Sequence, residues 1–88
     1  MTLDKLKEKK AFYTQKAKKI AKEINQKNSL IEELGIGIIQ KNKLKEDFSG
    51  WIDSLEQAYF DKTLLTLRIN ETQTKIANIE RIIKKKTS

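Results

Sequence analysis

The chain has 88 residues, 19 basic against 12 acidic side chains for a net charge of +7, and no Cys, His or Pro. That length allows one small domain over residues 1–88, marginal unless idealised or oligomeric. The missing Cys and His exclude disulfides, thiol nucleophiles, thiolate or imidazole metal sites and the commonest general base. The absence of Pro and the abundance of Lys, Ile, Leu, Glu and Gln favour helix.

Apolar residues in the first half fall at Leu3, Leu6, Tyr13, Ala17, Ile20, Ile24, Ile31, Leu34 and Ile38, in steps of three, four and seven. That is a heptad pattern interrupted at Lys10 and Lys27. Thr2 is an expected N-cap, with Asp4 favourable in the first turn. Ser29 followed by Glu32 reads as a capping box, so a break at "KNS" would give a short middle helix. The unbroken register through Ile24, Ile31 and Ile38 instead favours one long helix to about residue 41, with a kink near Asn28 as the compromise. "EDFSGW" is the clearer break, with Ser49 as cap and a second helix starting near Gly50 or Trp51. There the pattern resumes at Leu55, Ala58, Leu65, Ile69, Ile76, Ile79 and Ile83, with Lys62 and Thr72 at the skipped seam positions. "INETQTKIAN" is its weakest stretch, because Asn and Thr are poor helix formers. No run of residues alternates as a strand would.

The expected fold is therefore all-α, a long antiparallel helical hairpin of coiled-coil type. Ile36, Ile39, Trp51, Ile52, Tyr59 and Phe60 lie beyond a two-helix seam. A second copy is thus the expected partner, giving a helical bundle; a three-helix monomer is the competitor. Gly35 and Gly37 each cost about 1 kcal/mol inside a helix and lie about 200° apart around it. The favoured reading is a local bend or short separate helix with Gly35 closely packed. Trp51 is expected to have a packing role.

The segment "IEELGIGIIQKNKL", residues 31–44, resembles a stretch of the TraD-type small conjugal-transfer accessory proteins. In these a Lys/Arg-rich helix leads into an "ELGG-L-x-x-K-x-x-L" pattern and then another helix. Glu33, Leu34, Gly35, Ile38, Ile39 and Leu44 fall approximately on that pattern, Lys41 with a one-residue shift, and "QKAKKIAKEINQKN" stands for the basic helix. The chain departs from it in splitting the adjacent glycines as Gly-Ile-Gly and in using lysine for arginine. The resemblance implies a relaxosome-associated role, helping a relaxase and its partners assemble on DNA.

Charge is unevenly spread. Residues 1–28 carry net +6, residues 29–74 net −3 and residues 75–88 net +4. AT-rich coding also produces lysine-rich chains with no function behind them. In a hairpin the two basic segments meet, leaving the turn end mildly acidic. That is the footprint of a phosphate binder, with Lys9, Lys16, Lys18, Lys19, Lys22, Lys84, Lys85 and Lys86 as the expected contacts. Lysines contact backbone phosphate rather than base edges. The terminal lysines also complement the helix dipole whatever the function. Phe12, off the seam, either stacks on a base or joins a second interface, the interface being favoured. The lysines surround the first helix, which argues against a membrane-surface helix. No apolar run approaches the ~20 residues of a membrane span, and the first residues lack a signal-peptide core, so the cytoplasm is the expected location. Adjacent carboxylates such as Glu32/Glu33 and Glu46/Asp47 diverge around a helix. Asp53, Glu56 and Asp61 approach a metal only with help from another chain. No catalytic, metal or cofactor-binding residue is expected, and the alternative function is a coiled-coil adaptor that binds protein only.

Overall fold

The computed structural model describes residues 2–87. Two helices, α1 (Leu3–Lys43) and α2 (Ser49–Thr87), form an all-α helical hairpin with no strand among the described residues. Every seam position expected from the heptads is buried or half-buried, and the best-covered apolar side chains are Leu6, Ile20, Ala58, Leu65 and Ile79. The period of 3.5 keeps one stripe of each helix facing the other, which is why the phase persists through both.

Lys10, Lys27 and Thr72, polar residues on the seam, have specific partners. Lys10 pairs with Glu80 and Lys27 with Asp61, each at 3.3 Å. Both pairs are partly exposed, so they fix register more than they stabilise. Thr72 is buried at 4 % exposure, and its hydroxyl donates to the Arg68 carbonyl at 2.8 Å. That bond removes the cost of an unsatisfied hydroxyl in the seam. The Asn- and Thr-rich stretch around it stays helical because its seam positions are occupied.

Several expectations are corrected. α1 runs unbroken through Asn28, Ser29 and Glu32, so neither the capping box nor a short middle helix forms, and the three-helix arrangement is excluded. A cap contributes about 1 kcal/mol, whereas a break would interrupt a continuous seam and expose unpaired backbone groups at two new helix ends. The roles of the two glycines are reversed. A Cβ at Gly35 would meet nothing within 4 Å, whereas one at Gly37 would collide with the Trp51 indole, 2.7 Å from Cε3 and 2.9 Å from Cη2. Close packing thus belongs to Gly37, and neither glycine has a positive φ or ends the helix.

The turn has its own chemistry. Lys45 adopts a left-handed φ of 56°. The Glu46 N–H donates to the Lys41 carbonyl at 2.9 Å and the Lys45 N–H to the Asn42 carbonyl at 3.2 Å. This is a Schellman cap with lysine where glycine is usual. An ion pair, Lys41 Nζ to Glu46 Oε2 at 3.3 Å, spans the positions that usually make an apolar contact there. α2 then starts at Ser49, one or two residues earlier than expected, and Asp47 is the capping side chain. Its Oδ1 accepts from the Ser49 N–H at 3.1 Å and the Ser49 hydroxyl at 2.8 Å. Those two bonds, with a smaller contribution from Lys41, hold the Asp47 carboxyl below its ordinary pKa. At the other end of the chain, Thr2 caps α1 as expected, its Oγ1 accepting from the Lys5 N–H at 3.3 Å.

The hairpin divides into two compact units, one formed by Met1–Lys22 with Leu67–Ser88 and the other by Glu23–Thr66. We call them the open-end unit and the turn unit. The turn unit buries Ala58 and Leu65 but leaves nine large apolar side chains exposed, among them Ile36, Ile39, Leu44, Tyr59 and Phe60. The open-end unit exposes three: Phe12, Leu67 and Ile82.

Candidate nucleic-acid interface

The open-end unit is where the charge collects. Its two segments carry fourteen basic and four acidic residues, net +10, while the turn unit carries five basic and eight acidic residues, net −3. The two segments of the open-end unit are distant in sequence, and the antiparallel return of α2 brings them together.

All eight lysines expected from the sequence belong to this unit and are exposed. They do not share one surface. Lys9 and Lys16, seven residues apart, occupy the same flank of α1 beside the seam. Lys16 lines a depression with Arg68, Glu71, Thr72 and Lys75 of α2. Lys9 lines a second depression with Tyr13, Lys75, Asn78 and Ile82 over the buried Leu6 and Ile79. It also lines a third, with Lys5, Glu8, Phe12 and Tyr13. Because Lys75, Lys9 and Tyr13 are shared between neighbours, the three depressions follow one another along one side of the unit. Lys19, one turn after Lys16, continues that side, whereas Lys18 projects about 200° from Lys16 and Lys22 also falls away from it. Lys84, Lys85 and Lys86 form the last turn of α2, where they oppose the helix dipole.

Arg68, Lys75 and Lys5 were not among the expected contacts. The available signal was spacing: Arg68 and Lys75 are seven residues apart, as are Lys9 and Lys16, so each pair keeps one phase beside the seam.

The aromatic residues are part of the same side. The Lys75 ammonium sits 5.3 Å from the centroid of the half-buried Tyr13 ring, a cation–π contact. Phe12 meets Tyr13 edge-to-face, with centroids 5.4 Å apart and planes at 71°, and remains 63 % exposed. Tyr13 therefore orients both a charge and an open aromatic ring. The arrangement is basic, partly aromatic and shallow.

Among the described residues no group of three His, Cys, Asp or Glu side chains can hold a metal ion, and no helix is long and apolar enough to cross a membrane. In comparisons with family models, curated proteins and solved structures, none matched this chain.

Proposed function

We propose that this protein is a non-enzymatic helical accessory protein that associates with nucleic acid through phosphate contacts made by its open-end unit. The observation that carries the reading is the +10 charge of that unit, set against −3 in the turn unit. Such a field attracts a polyanion and concentrates it at one unit. Lysine predominates over arginine, so contacts position the backbone and carry little base preference. The setting we attach to this activity is the cytoplasm, at a plasmid transfer origin where a relaxase assembles on DNA. It rests on the resemblance of residues 31–44 to the TraD-type accessory proteins.

A second reading, a helical adaptor for protein partners, is favoured by a separate observation: the nine exposed apolar side chains of the turn unit. Surfaces of this kind mark protein contacts, and the partner we propose is a second copy of the chain. The two readings combine if copies associate through turn units and leave open-end units to the nucleic acid.

The test is a binding titration with labelled DNA across salt concentrations. On duplex, log affinity should fall with log salt by about 0.9 per phosphate neutralised. Changing Lys9 and Lys16 together to Gln should reduce that slope by up to ~2 and weaken binding to all sequences alike. The same change at Lys43 and Lys45 should do little. Equal losses from both double variants would mean that only total charge matters. No binding at low salt to duplex or single strand would leave the adaptor reading alone.

A further inference from the structure

We infer that the side of the open-end unit carrying Phe12, Lys5, Lys9, Lys16, Arg68 and Lys75 is a single-strand nucleic-acid site, with a base stacked on the Phe12 ring. The inference rests on the phosphate-binding reading and specifies which form of nucleic acid that unit prefers.

Three observations carry it. First, Phe12 is 63 % exposed but is not part of an apolar patch. Its helical neighbours one turn away are Glu8, Lys9, Gln15 and Lys16, all polar and two of them cations, rather than a greasy rim. The exposed aromatics of the turn unit, Trp51, Tyr59 and Phe60, lie in a segment that also exposes Ile36, Ile39 and Leu44. A protein interface calls for the second pattern, with apolar side chains at its centre. An exposed aromatic face beside ammonium groups is the stacking platform of single-strand binders.

Second, the ring is held. Tyr13 fixes Phe12 edge-to-face from within the seam, and Lys75 in turn sits over Tyr13. A pre-positioned ring loses little freedom when a base stacks on it. Third, the cations form a track rather than a cluster. Lys9 connects the depression at Phe12 to the one at Lys75, and Lys75 connects that to the one holding Lys16 and Arg68. The joined depressions make a continuous shallow path that a flexible single strand can follow. In a duplex the bases are already stacked on one another, so none is free to stack on Phe12. The acidic members of the track, Glu8 and Glu71, leave it net positive.

The experiment is fluorescence anisotropy with labelled oligo-dT of roughly a dozen nucleotides and a duplex of equal length, titrated across salt with the full-length protein. Wild type should prefer the single strand. Phe12→Leu keeps apolar bulk and helix propensity but removes the π-face. It should weaken single-strand binding about 5- to 150-fold, leave the salt slope unchanged and leave duplex binding untouched. Phe12→Trp should restore the preference, and circular dichroism should show wild-type helicity in both variants.

Equal binding of both forms, unaffected by Phe12→Leu, would overturn the single-strand inference and leave the phosphate reading standing. If Phe12→Leu instead dissociated a self-associated species in sedimentation while DNA binding was unchanged, Phe12 would belong to a protein interface and the inference would again fail. Absence of binding to either form at low salt would remove the phosphate reading and this inference with it.

Discussion

Gly35→Ala and Gly37→Ala are chemically the same change, two residues apart in one helix, yet only the first should stabilise the protein. In a helix interior Ala is better than Gly by about 1 kcal/mol. At Gly35 a new Cβ meets nothing within 4 Å, so the whole gain should appear, raising the melting temperature by roughly 4–8 °C for a chain of this size. At Gly37 the Cβ falls within 3 Å of Trp51 Cε3 and Cη2. The indole, 38 % exposed and under the Lys41 ammonium at 5.3 Å, must move outward. Overpacking of this kind costs about 1–3 kcal/mol, so Gly37→Ala should be neutral or destabilising by up to ~2 kcal/mol. In a Trp51→Ala background the obstacle is gone and Gly37→Ala should recover its gain of about 1 kcal/mol, giving a coupling energy of roughly 1–3 kcal/mol. Urea unfolding followed by far-ultraviolet circular dichroism measures all four stabilities, at one fixed protein concentration because association shifts apparent stability. The chain has one tryptophan, so a red shift of its emission in Gly37→Ala independently reports the displaced ring. If Gly37→Ala stabilised as much as Gly35→Ala with unchanged emission, Trp51 would not be seated on Gly37 and the turn geometry argued above would be wrong.

Lys45→Gly should stabilise the hairpin by about 0.5–1 kcal/mol, because Gly relieves the left-handed φ by more than it costs in unfolded-chain entropy; Lys45→Ala should not stabilise, and thermal melts distinguish the two. Asp47 supplies a pH dependence. Its folded pKa lies below the ordinary value, so its stabilisation is complete above the unfolded pKa of about 3.9 and is lost as the pH falls through the lower folded value. Asp47→Asn should therefore be less stable than wild type at neutral pH, with the difference closing below about pH 3.9; a difference that widened on acidification would reverse the sign of this argument. Finally, Phe60→Ser, at a ring 58 % exposed in the turn unit, should weaken self-association in sedimentation equilibrium without lowering helicity. A wild-type chain that stayed monomeric at micromolar concentration would remove the proposed second copy.

The helical seam was legible because burial on two long helices leaves one repeating signature. All the positions from Leu3 to Ile38 and from Leu55 to Ile83 fell where their phase placed them. What the sequence left open were features set by partners distant along the chain. Lys10 and Lys27 look like interruptions until Glu80 and Asp61 are brought opposite them. Gly35 and Gly37 are indistinguishable locally, and the arrival of Trp51 from across the turn decides between them. Ser29 and Glu32 form a sound local capping signal that longer-range packing overrides. At the candidate site the lysine-rich segment was visible, but the furrow depends on Arg68 and Lys75, whose charges stand out only once the flank of each helix is followed at intervals of seven.

The charge that supports the proposed function also works against the fold that presents it. Net +10 on the open-end unit means that cations on both helices repel across the same seam that Leu6, Ile20 and Ile79 hold together. The Lys10–Glu80 pair and the Lys75–Tyr13 contact offset only a small part of that repulsion, since each is partly exposed and screened. Like charges distributed over one compact unit destabilise it, and a polyanion threaded along the furrow would neutralise several of them at once. On the proposed reading binding and folding of this unit would be linked, a ligand that takes only the folded form stabilising it by RT ln(1 + L/Kd), with L the free ligand concentration. The turn unit, net −3 and holding the Gly37–Trp51 contact, lacks this excess of cations.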